Sequence, residues 1–417
     1  MNELAQLHHR GGWALRLTGA AAKPTAPAAA PATKATPATT TRCPASASEP
    51  AHTNQKGRCV GAHAAGLGRA EGRGAGGACA PPRALPLPVA VALPASGTLN
   101  PSMAKMAFTG ALVRSLTTDF AAKALRCATQ GGAVIDAALA ASQHAAYVRA
   151  LSACLPAGSV TTLPPAEGQP DSVFVEDTAV VVGGRALLTR PGAPSRRGEV
   201  EAVGAALRAR GLACAAVAPP GTLDGGDVLW TGREFFCGLS QRTNAVGLEA
   251  LRAAFPGARV TAVPLAELAG GARRASRARL AHATARLVSE GEGEEASPLH
   301  LKSILGLVGQ DTVAVADTPL GTEVALFLQQ HSGVPTGVKR AGGRLSFVMV
   351  PRAAAAAANA LLVNGTLIVR AAEEAACAAG TAELRLYAAD VGLKVVEVNM
   401  SELAKADGAL TCCSVLL

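Results

Sequence analysis

The chain has 417 residues and a formal charge of +9, with 39 Lys and Arg against 30 Asp and Glu. That length admits two or three domains, but the charge is unevenly spread. Residues 1–105 carry seven Arg and four Lys against three acids, whereas the rest has 28 basic and 27 acidic side chains. The body has no basic surface interleaved with aromatics and no apolar run of 18 residues, so neither nucleic acid nor a membrane is expected as a partner.

Residues 1–105 are dominated by Ala, Pro, Gly and Thr, as in Ala28-Ala29-Ala30-Pro31-Ala32-Thr33. Such a composition cannot bury a core and is expected to form a disordered basic leader. Pro86, Pro88 and Pro94 interrupt the one stretch resembling a secretory signal core. The ten cysteines show no Cys-x-x-Cys pair, which points to free thiols in a reducing compartment. A cytoplasmic location is expected, and the acid-poor leader also fits organellar targeting.

From Met106 on, a strand–turn–strand–helix–strand pattern recurs about every fifty residues, the mark of a repeat architecture. The first clear copy reads Val173–Val175 and Ala179–Val182 as one strand, Gly183-Gly184 as a turn and Ala186–Thr189 as the returning strand. Pro194-Ser195 then open a helix with Val200, Val203 and Leu207 on one face, and Ala213–Val217 is the next strand. The second copy has strands at 228–230, 235–239 and 259–263 and a helix from Asn244 to Phe255. A third copy starts after Lys302. A fourth runs from Ala360 to Val398, with a hairpin signal at Asn364-Gly365. A fifth forms if the C-terminal strand joins segment 107–163. Residues 266–298, rich in Ala, Arg and Gly, interrupt the rhythm and read as a surface insertion, with 272–288 able to form a helix. The sequence thus predicts one α/β domain over 106–417.

Four clusters and a terminal thiol pair carry chemistry. Asp171 with Glu176-Asp177 sets three carboxylates in an apolar context, where burial demands a cationic partner. Asp224-Gly225-Gly226-Asp227 reads as a turn, or as glycines admitting close backbone approach beside an acid able to orient a base. His300, in Leu299-His300-Leu301-Lys302-Ser303, is a core histidine or a general acid–base. Arg196-Arg197 and Arg242 are exposed helix charge or forks for a carboxylate. Cys412-Cys413 lie in a short apolar run, where a thiol is either a small buried hydrophobe or, with a cation or base beside it, a nucleophile. Together these groups suit an arginine derivative: carboxylates for a guanidinium, arginines for a carboxylate, and a Cys-His-Asp set for attack at carbon.

In this order the clusters resemble the dimethylarginine dimethylaminohydrolases. The match is densest at 170–177, 188–199, 222–244, 299–303 and 400–416. The resemblance implies the α/β pentein fold, a five-bladed propeller of ββαβ modules with pseudo-fivefold symmetry. It implies hydrolysis of Nω-methylated L-arginine to L-citrulline and an amine, through a covalent S-alkylthiouronium on Cys412. His300 would serve as acid and then base, and Asp224 would orient it. Glu176 and Asp177 would hold the guanidinium, and Asp171 other polar groups of the substrate. Arg196 and Arg242 would take the α-carboxylate, and Leu125, Ala406 and Asp407 would line the α-amino end. Ala406 stands where the family usually has a larger aliphatic side chain. No cofactor is implied, no metal serves catalysis, and zinc bound at Cys412 is expected to inhibit. The alternatives are an arginine or agmatine deiminase, and a catalytically silent pentein that binds a ligand. The oligomeric state is left open.

Overall fold

A computed structural model describes residues 107–126, 133–272, 299–333 and 345–417. The predicted leader and residues 273–298 of the predicted insertion lie outside the described residues.

The described chain opens with strand β1 (Ala111–Arg114), helix α1 (Ala137–Ala153) and strand β2 (Val160–Leu163). The next module is β3 (Ala179–Val182), β4 (Arg185–Leu188), α2 (Val200–Ala209) and β5 (Ala213–Ala216). It is followed by β6 (Val228–Trp230), β7 (Glu234–Gly238), α3 (Ala245–Ala254) and β8 (Arg259–Val263). Then come β9 (Leu305–Gly309), β10 (Thr312–Ala316), α4 (Pro319–His331) and β11 (Ser346–Val350). The last full module is β12 (Leu361–Val363), β13 (Thr366–Arg370), α5 (Ala378–Val391) and β14 (Lys394–Val398), and β15 (Val415–Leu416) ends the chain.

Each of the four full modules is a three-stranded sheet whose middle strand runs antiparallel to its predecessor and parallel to the strand beyond the helix. The fifth sheet copies this pattern from both ends of the chain. β1 pairs antiparallel with β15, with Ala111 opposite Leu416, and parallel with β2. The five leading strands β3, β6, β9, β12 and β15 contribute residues to one axial cavity of about 150 Å³. The sheets are therefore blades around an axis, as the fifty-residue period predicts.

Local chemistry explains the modules. Gly183-Gly184 and Asn364-Gly365 all have positive φ, which a two-residue hairpin of this hand requires. Asn244 caps α3 by accepting the Gly247 N–H at 2.9 Å, an interaction worth about 1 kcal/mol. Thr318 does the same for α4 through Gly321, and Pro319 at the first helical position gives up no needed donor. The buried faces then pack. α1 places Tyr147 and Leu151, both fully buried, against Met400, Leu403 and Leu410.

Two expectations need correction. Residues Val173–Val175 are not a strand; Pro170–Val173 and Val175–Thr178 are 3-10 turns, and every residue from 171 to 180 is buried. A strand would send neighbouring acids to opposite faces, whereas the turns keep Glu176 and Asp177 both inside, aimed at different cations. The surface insertion also begins later than expected. Residues 265–272 are helical, and Leu265, Ala269 and Ala272 are buried against the cluster that contains Leu301 and Leu305. Small apolar residues at this spacing face the core, so any excursion starts after residue 272.

Candidate active site

A second cavity, of about 310 Å³, is at the lower end of the size range of small-molecule sites. Cys412 and His300 line it, together with Asp171, Asp177, Arg196 and Arg242. Leu125, Ala406 and Asp407 border it, and Arg126, Phe174 and Leu299 join them.

The two thiols separate on a 3-10 turn, Thr411–Cys413, and not on a strand. Cys413 is fully buried in the core around Tyr147 and Met400, while Cys412 reaches the cavity. The turn is held from several sides. Asn359 accepts the Thr411 N–H at 3.1 Å, Thr411 Oγ1 donates to Glu176 at 2.8 Å, and Ser414 Oγ lies 2.8 Å from the Tyr147 hydroxyl. Burial pushes the Cys412 thiol up, the Glu176 and Asp177 carboxylates push it further the same way, and Lys302 opposes them.

His300 sits at the start of a turn, Leu301–Ser303, anchored by fully buried Leu301. Its Nε2 meets Asp224 Oδ2 at 2.9 Å, and Asp177 Oδ1 lies 3.9 Å away. Burial disfavours its charge, but Asp177, the Asp224 hydrogen bond and Asp227 outweigh burial and raise its pKa to about 9. It therefore holds its proton at neutral pH. Asp224 has no exposed surface, and its other oxygen accepts the Gly192 N–H at 2.8 Å, which fixes the carboxylate behind the ring. Gly226 makes the approach feasible: a Cβ there would lie 2.9 Å from both Asp177 Oδ1 and His300 Cγ.

Asp227, the second acid of that motif, accepts the Leu301 N–H at 2.9 Å. Ser240 and Thr243 donate to its other oxygen at 2.6 and 2.7 Å. Burial raises its pKa to about 6 against these bonds. It holds the His300 turn without touching the ring.

The carboxylates divide unequally. Asp177 faces the cavity; burial opposes its charge, but His300 and Arg196 hold its pKa at about 2. Asp171 accepts the Leu125 N–H at 2.8 Å, which ties the cavity's border to the acid. Burial raises its pKa, and Leu125, Arg196 and Arg242 pull the other way. Glu176 does not line this cavity. Its oxygens are taken by Lys302 Nζ at 2.5 Å and by Thr411, and it lines the axial cavity instead.

The two arginines also differ. Arg196 is 5% exposed and spends its guanidinium on Asp177 at 2.5 Å, on Glu199 at 2.8–3.2 Å, and on the carbonyls of Asp171 and Phe174. Most of its five N–H donors are thus committed within the protein. Arg242 is half-buried and lies on the cavity wall. The geometry makes Arg196 a clamp on Asp177 and leaves Arg242 on the wall of the cavity.

Among the described residues, one group of side chains brings three metal-ligand atoms within 4.8 Å of one another, namely Asp177, Asp224 and His300. Cys412, the predicted zinc ligand, is not in it. The carboxylate oxygens of that group already accept Arg196, Gly226, Gly192 and His300. No helix among the described residues is long and apolar enough to cross a membrane.

Lys302, Thr411, Asp227 and Asn359 escaped sequence reasoning as site residues. Lys302 and Thr411 flank assigned catalytic positions, and Asp227 closes a motif already singled out, so position gave a hint. Asn359 carried no signal.

Five ββαβ blades with a cavity lined by Cys412, His300 and Asp177 define a hydrolase of the pentein fold. No family model matches the sequence. A dimethylarginine dimethylaminohydrolase of Streptomyces coelicolor is 36% identical over 285 residues, covering 68% of this chain and 88% of the relative. One of Pseudomonas aeruginosa is 30% identical over 280 residues, 67% of this chain and 89% of the relative. The chain belongs to the dimethylarginine dimethylaminohydrolase family. The solved structure of the Pseudomonas aeruginosa enzyme, as a cysteine-to-serine variant complexed with citrulline, matches with a TM-score of 0.55 at 27% identity, covering 75% of this chain and all of that one. The N-terminal domain of ArgZ, a cyanobacterial arginine dihydrolase, shares the fold with a TM-score of 0.53 at 17% identity over 74% of this chain and 97% of that one.

Proposed function

We propose that the protein hydrolyses Nω-methylated L-arginine, asymmetric dimethylarginine or monomethylarginine, to L-citrulline and dimethylamine or methylamine. The observation that carries this reading is that Cys412, Asp177, Arg242 and His300, the last held by Asp224, all line one small cavity. Membership of the dimethylarginine dimethylaminohydrolase family supports the choice of a methylated arginine.

The charge balance suggests the sequence of steps. In the free site the thiol stays protonated, because burial disfavours the thiolate and the negative charge of Glu176 and Asp177 adds to that effect. A bound guanidinium, held by Asp177, reverses that balance and favours the thiolate, since a neighbouring cation lowers a thiol pKa. With its thiol proton released to solvent, Cys412 Sγ then attacks the guanidinium carbon. His300, protonated at neutral pH, gives its proton to the methylated nitrogen as the C–N bond breaks and the amine leaves. The neutral imidazole next takes a proton from water, which adds to the thiouronium carbon. Collapse expels the Cys412 thiolate, and citrulline is released. Asp224 keeps the ring oriented in both halves.

Two measurements test the assignment. Incubation with asymmetric dimethylarginine should yield citrulline and dimethylamine in equal amounts, whereas ammonia from arginine as the main activity would overturn the substrate. Cys412→Ser should abolish turnover, while Cys413→Ser, altered only in the core, should retain much of it.

A further inference from the structure

Four of the five modules meet in a closed ring of hydrogen bonds, three of whose members, Glu176, Lys302 and Thr411, line the axial cavity. Asn359, in the turn before β12, donates through Nδ2 to the Lys302 carbonyl at 2.8 Å and to Thr411 Oγ1 at 3.0 Å. Its Oδ1 accepts the Thr411 N–H at 3.1 Å. Thr411 Oγ1 donates to Glu176, and Glu176 accepts Lys302 Nζ, which closes the ring. Asn359 is 2% exposed, and both its side-chain hydrogens and its oxygen are used.

The ring's position matters more than its bond count. Lys302 is two residues past His300, and Thr411 immediately precedes Cys412. Glu176 also reaches both turns, but on one side it grips the end of a long, flexible lysine. Asn359 grips main chain on both sides. A buried carboxamide joining two backbone segments fixes their separation; a flexible ammonium does not.

We propose that Asn359 is a positioning residue of this centre, its carboxamide setting the distance between the Cys412 turn and the His300 turn. The proposal rests on the assignment of Cys412 as nucleophile and His300 as acid. Asn359 touches neither substrate nor thiol; it acts through the two turns. Small displacements of reacting groups cost rate steeply, roughly a hundredfold for about 1 Å.

The test compares Asn359→Ala with the wild-type chain. Turnover should fall roughly ten- to a hundredfold with KM changed much less, the signature of a lost transition-state arrangement. A second readout is independent of substrate. Alkylation of Cys412 by iodoacetamide, located by tandem mass spectrometry, should follow a pH profile whose midpoint shifts in the variant. A folded Asn359→Ala protein with wild-type kcat and an unshifted profile would overturn the proposal. If that variant does not fold, Thr411→Val and Thr411→Ser decide. The serine keeps the ring hydroxyl and should keep the wild-type profile, while the valine should shift it; identical profiles for the two would overturn the proposal. Undiminished turnover in Cys412→Ser would instead sink the functional assignment, and the alkylation profiles would still report on the ring.

Discussion

Among single residues, the two arginines and the His300–Asp224 pair make the sharpest contrasts. Arg196 is buried between Asp177 and Glu199. Removing it strands two buried carboxylates, and breaking a buried pair from one side typically costs about 3–5 kcal/mol. Arg196→Ala should therefore lose stability in chemical denaturation before any kinetic effect can be read. Arg242→Ala should leave the unfolding midpoint nearly unchanged and raise KM, with an expected loss of roughly 1.5–3 kcal/mol of binding for a charged hydrogen-bonding partner. His300 provides a direct pH reading. Its folded pKa is raised to about 9, so its charge stabilises the fold fully below the unfolded value near 6.5 and that contribution fades as pH rises toward 9. In Asp224→Asn the ring loses its hydrogen-bonded anion, while Asp177 and Asp227 remain. NMR of the ring should then show the midpoint falling from about 9 toward 6.5, with a drop in kcat; an unmoved midpoint would show that Asp224 does not set it. The sequence could not rank the arginines. Glu199 stands three residues from Arg196, a spacing any solvated helical pair shares, and Asp177 reaches Arg196 only through the fold.

At the level of elements, much could be read in advance and some could not. α3 runs between the very residues expected to bound it, Asn244 and Phe255, because the cap residue and the apolar stripe are both local signals. The Gly183-Gly184 and Asn364-Gly365 hairpins were legible for the same reason. The acid-bearing turns at 170–178 were not, because their apolar residues mimic a strand while long-range partners impose the bend: Lys302 reaches Glu176, and the Gly226 N–H reaches Asp177 at 2.9 Å. The segment before His300 yields a test at this scale. Replacing 273–298 with a short Gly/Ser linker should preserve folding and turnover, since loop entropy changes slowly with length. Extending the replacement back to residue 268 removes buried Ala269 and Ala272 beneath Leu301. That longer variant should lower both the melting temperature and activity; equal behaviour of the two variants would show that the helix at 265–272 does not support the His300 turn.

Over the whole molecule, the ring of blades closes where the two ends of the described chain meet. The Leu417 N–H donates to the Gly110 carbonyl at 2.9 Å, the Thr109 N–H donates to the Leu417 carbonyl at 2.6 Å, and β15 extends β1. A chain beginning at Met106 keeps every residue of this seam, so it should fold and turn over like the full chain; loss of folding would mean that residues 1–105 contribute to the body. The seam has a kinetic consequence. Each inner blade assembles from residues within about fifty positions of one another, but the thiol-bearing turn docks only when groups 308 positions apart, such as the Thr109 hydroxyl and the Leu417 carbonyl, come together. Contacts of such separation form slowly, because the entropy of closing the intervening chain must be met first. On dilution from denaturant, far-ultraviolet signal should thus recover ahead of enzymatic activity. Turnover becomes a reporter of the last topological event in folding, and a population with four sound blades and an unlatched fifth would look native by most spectroscopic measures while remaining catalytically silent.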